Sequence, residues 1–148
     1  TYTVYSALCL AEGIKKNGKL YTLDVNEEYT AIAAKYFNKS EYKNNIQQHI
    51  GHALDIIPEL DTNFQLAFID ADKENYSSYF DLIIDKIDIG GYIIADNVLW
   101  SGKVTEMQKD QETKALHLYN KKVLADKRVE TLLLPVRDGL MISRKISN

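Results

Sequence analysis

The sequence predicts an α/β fold of the doubly wound type, with a mostly parallel sheet flanked by helices. Short apolar runs alternate along the chain with longer segments in which apolar residues recur at helical spacing. Several of these runs are rich in Val and Ile and have the length of buried parallel strands. Near the end, two apolar runs flank a turn-rich segment, residues 135–139, which is typical of an antiparallel strand pair.

The first part of the chain contains two predicted strand–helix units. We predict strands at 19–24 and 45–50 and helices at 27–37 and 53–60. Asn26 suits the N-cap of the first of these helices, and Glu27 and Glu28 suit the positive end of its dipole. The strands end at Asp24 and at Gly51. An apolar helix near the start is expected to bury Cys9 in the core.

The second part continues the alternation and ends in the antiparallel pair. We predict strands at 64–69, 92–95, 129–134 and 140–144 and helices at 76–87 and 113–125. Two consecutive glycines, Gly90 and Gly91, are predicted to form a turn into the strand that follows them. The final strand pair distinguishes this pattern from a plain nucleotide-binding fold.

Composition excludes several classes of protein. The chain has 148 residues, which favours one domain over 1–148, and a net charge of −3, which argues against a nucleic-acid partner. Cys9 is the single cysteine, so we expect no internal disulfide and a reducing compartment. No apolar run approaches the roughly 20 residues that span a bilayer. We therefore expect a cytoplasmic protein with no membrane partner.

Polar residues follow two neighbouring predicted strands, at the point where each apolar run stops. Asp70, Asp72 and Lys73 follow one strand, and Asp96 and Asn97 follow the next. Ligands of open α/β sheets bind just outside the carboxyl ends of the strands, so these side chains are expected to meet at one cleft. Oxygen donors of this kind suit Mg²⁺, Ca²⁺ or Mn²⁺.

Each of these residues also has an ordinary structural interpretation. A strand-end carboxylate often caps the helix that follows it. Asn97 suits a turn, and Lys73 alone suits a solvated surface. Their occurrence together at two adjacent strand ends favours a metal-assisted reaction on an oxygen substrate.

Six segments together resemble the cation-dependent O-methyltransferases. The segments are residues 1–6, 23–24, 51–53, 69–76, 95–100 and 134–139. The branch that they resemble most is the caffeoyl-CoA O-methyltransferase group with its bacterial relatives, and catechol O-methyltransferase is more distant. The resemblance extends over nearly the whole chain and implies a Rossmann-like class I methyltransferase sheet.

The resemblance implies S-adenosylmethionine as methyl donor, a divalent cation, and a role for each matching residue. Lys73 matches the lysine that abstracts the proton. The resemblance implies three metal ligands: Asp70, Asp96 and Asn97. The cofactor-binding positions it implies are Thr1, Ser6, Asp24, Ala53 and Asp72, with Asp24 holding the ribose hydroxyls. The wall of the acceptor pocket corresponds to Trp100 and Ser101.

The implied reaction moves a methyl group to a hydroxyl of a catechol-like or phenolic small molecule. The cation is expected to act as a Lewis acid and as a template for two neighbouring acceptor oxygens. Lys73 is expected to accept the hydroxyl proton. The resemblance also suggests a homodimer.

Two features depart from the family pattern. Val4 stands where the family has glycine, and a positive φ at valine would strain the backbone by about 1–3 kcal/mol. The family's first strand and upstream helices find no match before Thr1, so we expect a chain truncated at its N-terminus. These departures keep open a weak or inactive methyltransferase-like protein that acts through binding. A nicotinamide-dependent oxidoreductase is the third alternative, which the terminal strand pair opposes.

Overall fold

The computed structural model describes residues 4–148, and these divide into two compact units. The first unit ends at Leu60 and the second spans Asp61–Asn148. The elements in chain order are α1 (Tyr5–Glu12), β1 (Leu20–Asp24), α2 (Glu27–Phe37), β2 (Ile46–Ile50), α3 (Ala53–Glu59), β3 (Phe64–Ile69), α4 (Tyr76–Ile84), β4 (Ile87–Ala95), α5 (Gln111–Ala125), β5 (Val129–Leu134) and β6 (Leu140–Lys145).

The first unit is a parallel pair of strands with helices packed on it. β1 pairs with β2 in parallel, α1 packs against β1, and α2 packs against both strands. The buried residues of its core are Val4, Ala7, Ala33 and Phe37. The bounds of α2 are those predicted, since the Asn26 side chain caps the helix by accepting from the Tyr29 amide at 2.9 Å.

The second unit is a four-stranded sheet with the order β3-β4-β6-β5. β3 and β4 are parallel, and β6 is antiparallel to both β4 and β5. α4 packs against β3 and β4, and α5 packs against α4 and β5. The largest fully buried side chains between these layers include Tyr76, Phe80, Ile84, Ile93, Leu116 and Tyr119. The predicted α/β fold, with parallel pairs and a C-terminal antiparallel pair, is confirmed.

The predicted turn at Gly90 and Gly91 is wrong, because both glycines lie inside β4. A Cβ at Gly91 would lie 2.9 Å from the carbonyl oxygen of Gln65, so glycine here lets β3 approach closely. Gly90 has a φ of 89°, and the register between the two strands shifts in this region. The pair of glycines therefore forms an irregularity within a strand.

Two smaller expectations also differ from the structure. α4 ends at Ile84, before the predicted limit at residue 87, because Ile87 begins β4. Cys9 is exposed, so the expectation of a core position is wrong; the buried positions of α1 are Ala7 and Ala11. Among the described residues, no helix combines the length and the apolar character needed to cross a bilayer.

Candidate active site

The carboxyl ends of β3 and β4 lie side by side. The two strands are parallel with Ile69 opposite Ala95, so Asp70 and Asp96 are the next residues on each strand. The Asp96 amide donates to the Ile69 carbonyl oxygen at 3.0 Å, which continues the pairing to the strand ends. The convergence expected from parallel strands is therefore present at this edge.

Lys73 joins the two strand ends through its side chain. It lies on a short 3-10 turn, Lys73–Asn75, and is only 7 % exposed. Its Nζ donates to Asp70 Oδ1 at 3.3 Å, to Asn97 Oδ1 at 3.2 Å and to the Tyr76 hydroxyl at 2.6 Å. A buried ammonium is costly unless it is paired and hydrogen-bonded, and these three oxygens supply that compensation.

Asp96 and Asn97 are held by local hydrogen bonds. Asp96 Oδ1 accepts from the Asn97 amide at 2.7 Å, and the Asp96 carbonyl oxygen accepts from the Tyr76 hydroxyl at 3.0 Å. Asn97 has a φ of 60°, a left-handed conformation that asparagine adopts more readily than most residues. Burial, followed by the charges of Asp70 and Asp96, raises the pKa of Tyr76, which keeps it a neutral hydroxyl.

The donor set at this edge fits a hard cation. Asp70 Oδ1 and Asn97 Oδ1 both lie within 3.3 Å of one positive group, the Lys73 ammonium. Two carboxylates and an amide oxygen are ligands that Mg²⁺, Ca²⁺ and Mn²⁺ accept. No cluster of three or more His, Cys, Asp and Glu side chains suited to a metal occurs in residues 4–148. The predicted set is of a different kind, with two carboxylates and one amide oxygen.

Asp72 is held separately from this cluster. The Tyr79 hydroxyl donates to Asp72 Oδ1, and the Asn75 amide group donates to Asp72 Oδ2. Burial, followed by the hydrogen bond to Asp72 and the charge of that carboxylate, raises the pKa of Tyr79. Tyr79 is therefore a protonated donor that orients Asp72.

Trp100 and Ser101 lie on the loop that follows β4. The Trp100 ring centroid is 5.6 Å from Lys73 Nζ, within the range of a cation–π contact. Ser101 is exposed, and its amide donates to Asp138 Oδ1 at 2.5 Å. Trp100 and Ser101 have φ values of 48° and 53°, so this loop has an unusual backbone that needs external support.

The turn between β5 and β6 supplies that support. The Gly139 carbonyl oxygen accepts from the Val98 amide at 3.2 Å, and the Asp138 carbonyl oxygen accepts from the Leu99 amide at 2.9 Å. A Cβ at Gly139 would lie 2.5 Å from Leu99 Cγ, so only glycine fits there without a shift. This turn belongs to one of the six matching segments, but residue types alone do not reveal its contact with the loop. The contacts of Tyr76 with Lys73 and of Tyr79 with Asp72 carry no sequence signal either.

In the first unit, two predicted cofactor residues lie near adjacent strand ends. Asp24 ends β1 opposite Ile50, and its carbonyl oxygen accepts from the Gly51 amide at 3.0 Å. Ala53 begins α3 two residues later. Asp24 Oδ1 also accepts from the Asn26 amide at 2.9 Å, a local contact just before the start of α2.

The remaining predicted cofactor residues are on α1 or before it. Ser6 is the second residue of α1 and is exposed. Thr1 lies outside the described residues. The roles of Ser6, Asp24, Ala53 and Asp72 in cofactor binding stay predictions.

Val4 adopts the strained conformation expected where valine replaces glycine. Its φ is 98° and its ψ is −35°, at the N-cap of α1. The side chain is 4 % exposed and packs with Ala33 and Phe37. Burial of the valine offsets part of the strain, since covering such a side chain contributes about 1.5–3 kcal/mol.

Structural comparison defines the class of protein. The chain superposes on the O-methyltransferase TomG from Streptomyces achromogenes, solved in complex with SAM, with a TM-score of 0.93 over 99% of this chain and 70% of that one. At 24% identity this likeness shows the fold alone. It also matches the O-methyltransferase from Bacillus cereus in complex with SAH, at 27% identity, a TM-score of 0.90, and 98% and 71% coverage. The fold is that of a class of methyltransferases.

Sequence comparison then gives the family. The family model described as O-methyltransferase matches residues 1–146, so the chain belongs to that family. Caffeoyl-CoA O-methyltransferase 1 from Arabidopsis thaliana is 35% identical over 99% of this chain. The chain spans 61% of that relative's length. The resemblance drawn from the six segments is confirmed.

Proposed function

We propose that the protein is an S-adenosylmethionine-dependent and divalent-cation-dependent O-methyltransferase. The acceptor we propose is a hydroxyl of a catechol-like or other phenolic small molecule. The observation that carries the proposal is the convergence of Asp70, Asn97 and Lys73 at the ends of two parallel strands. Membership of the O-methyltransferase family supports it.

In this proposal Asp70, Asp96 and Asn97 hold the cation, for which Mg²⁺ is the first candidate and Ca²⁺ or Mn²⁺ the others. When bound, the cation supplies Lewis-acid stabilisation of an ionised acceptor oxygen. S-adenosylmethionine supplies the methyl group as a sulfonium. Asp24 binds the ribose hydroxyls, as strand-end acids do in related folds.

Lys73 has the central chemical role among the chain's own residues. In its neutral form the amine accepts the proton of the acceptor hydroxyl, which makes that oxygen a nucleophile. The side chain is buried and held by three oxygens, so it reaches the acceptor in a defined direction. Trp100, whose ring lies 5.6 Å from Lys73 Nζ, forms one wall of the acceptor pocket together with Ser101.

Replacement of a proposed metal ligand tests the function. In the intact protein, Asp70→Ala should lower Mg²⁺-dependent methyl transfer to 3,4-dihydroxybenzoic acid by at least about 100-fold, because even outer-shell partners of metal ligands cost roughly 10–100-fold. The assay follows transfer from labelled S-adenosylmethionine with Mg²⁺ and with EDTA. Asp61→Ala, at an exposed carboxylate outside the cluster, is the matched control. Full activity of Asp70→Ala would refute the assignment.

Calorimetric titration of S-adenosylmethionine tests the cofactor assignment and the inactive alternative. Binding by the parent protein, with and without Mg²⁺, supports an active enzyme. No binding by the parent, with recovery in Val4→Gly, would locate a defect at the strained Val4 and favour a methyltransferase-like binding protein. No binding by either protein would refute the cofactor assignment.

A further inference from the structure

The Tyr76 hydroxyl makes the shortest contact of the Lys73 amine. Tyr76 is fully buried, at 0 % exposure, and its oxygen lies 2.6 Å from Lys73 Nζ. The contacts of Nζ with Asp70 and Asn97 are longer, at 3.3 Å and 3.2 Å. The tyrosine is therefore the partner that most closely defines where the amine lies.

The direction of these hydrogen bonds follows from the inventory of donors. The Tyr76 hydroxyl has a single proton, and the Asp96 carbonyl oxygen accepts it at 3.0 Å. The hydroxyl oxygen consequently accepts an N–H from Lys73 instead of donating to it. This hydrogen bond therefore uses one N–H of Lys73 and fixes its direction.

The tyrosine ring is fixed by packing. It meets the ring of Tyr119 edge to face, with centroids 5.5 Å apart and an interplanar angle of 85°, and Tyr119 in turn packs against Phe80. Interiors packed in this way allow little movement of a large side chain. The position of the hydroxyl oxygen is therefore set by the α4–α5 packing.

We propose that Tyr76 is a positioning residue whose hydroxyl oxygen accepts one N–H of Lys73 and thereby fixes where Lys73 Nζ lies relative to the acceptor hydroxyl. Tyr76 itself does not touch the acceptor. This inference rests on the proposed function, because it assigns Tyr76 a task in proton transfer to Lys73.

Tyr119 offers a closely matched control. It is also 0 % exposed and belongs to the same ring cluster. Among the described residues its buried hydroxyl has no hydrogen-bond partner. Tyr76→Phe and Tyr119→Phe each remove one buried hydroxyl from this cluster, and only the first removes a contact of Lys73.

The kinetic test compares these variants in the intact protein with 3,4-dihydroxybenzoic acid and Mg²⁺. Tyr76→Phe should lower kcat about 10–100-fold, since misplacement of a reacting group by about 1 Å costs up to roughly 100-fold. The KM of the acceptor should change by less than about twofold, because no binding contact is lost. Tyr119→Phe should leave both constants at the parent values. Equal kcat values for the two variants would overturn the proposal.

The double variant Lys73→Met/Tyr76→Phe separates positioning from general stability. If Tyr76 acts only through Lys73, the double variant should be no slower than Lys73→Met alone. Multiplied losses would instead indicate a structural role and overturn the proposal. Full activity of Lys73→Met would refute the proposed function itself. An inactive Lys73→Met beside a fully active Tyr76→Phe would refute only the role of Tyr76.

A spectroscopic measurement needs neither cofactor nor metal. The ¹⁵N-detected side-chain signal of Lys73, assigned by its absence in Lys73→Met, should show protection from solvent exchange in the parent. Tyr76→Phe should lower this protection at least about tenfold, as expected for loss of a hydrogen bond worth roughly 1.5 kcal/mol. Tyr119→Phe should leave it unchanged. Unaltered protection in a folded Tyr76→Phe would overturn the proposal. A Tyr76→Phe variant that does not fold would also overturn it, since that outcome indicates a structural role.

Discussion

The two strand ends of the candidate site are supported in different ways. The segment after β3 depends on side-chain hydroxyls of α4, with Tyr76 bound to Lys73 and Tyr79 bound to Asp72. The segment after β4 depends on a distant turn, where the backbone carbonyls of Asp138 and Gly139 and the Asp138 carboxylate accept from its amides. The first support is local along the chain, and the second spans 37 residues between Ser101 and Asp138.

The difference follows from the conformation of each segment. The residues after β3 enter a 3-10 turn and then α4, so helical side chains lie close by. The loop after β4 contains left-handed residues at Asn97, Trp100 and Ser101, which a continuing helix cannot support. A strained loop persists only when surrounding structure holds it. We therefore expect the second segment to be the more sensitive one to small changes in its support.

The largest expected effect is at Gly139. In Gly139→Ala a Cβ would lie 2.5 Å from Leu99 Cγ, at a φ of 84° that disfavours any side chain. Strain and overpacking together should lower the free energy of unfolding by about 3 kcal/mol. Urea unfolding of the intact protein measures this loss.

Gly90→Ala is the matched control for that variant. Gly90 has a similar φ of 89°, and a Cβ there would meet nothing within 4 Å. Its expected loss is the backbone term alone, about 1 kcal/mol. Equal losses at the two glycines would show that the contact with Leu99 is not what makes glycine necessary at residue 139.

A smaller effect is expected at Asp138. Asp138→Ala removes the carboxylate that accepts from the Ser101 amide and should cost about 1 kcal/mol. Hydrogen exchange of the Ser101 amide should accelerate at the same time. Asp138→Asn keeps an acceptor oxygen and should stay close to the parent. An unchanged exchange rate in Asp138→Ala would contradict the support that this turn gives the loop.

The smallest effect is expected at Tyr79, on the other strand end. Tyr79→Phe removes one of the two donors to Asp72, which is exposed and regains water, so about 0.5 kcal/mol of stability should be lost. If Asp72 binds the cofactor, the Kd for S-adenosylmethionine should rise by about threefold. Calorimetric titration measures this change. An unchanged Kd would count against the predicted role of Asp72.

Elements with strong local signals were predictable from the sequence. α2 and β3 have their predicted bounds, and the N-cap at Asn26 is present. The convergence of Asp70, Lys73 and Asn97 was also predictable, because parallel strands bring their carboxyl ends together. The position of Gly90 and Gly91 inside a strand was not predictable, since the need for glycine there depends on the neighbouring strand β3.

The sequence by itself determined the alternation of strands and helices, the fold class and the family, because periodicity, capping and motifs act over a few neighbouring residues. Only the tertiary structure decided that Tyr76 holds Lys73 and that Asp138 supports Ser101. Such contacts depend on the distance and direction between side chains after packing. A pattern of residue types along the chain contains neither quantity, and for that reason the partners of the candidate site appear only once the sheet and its helices are assembled.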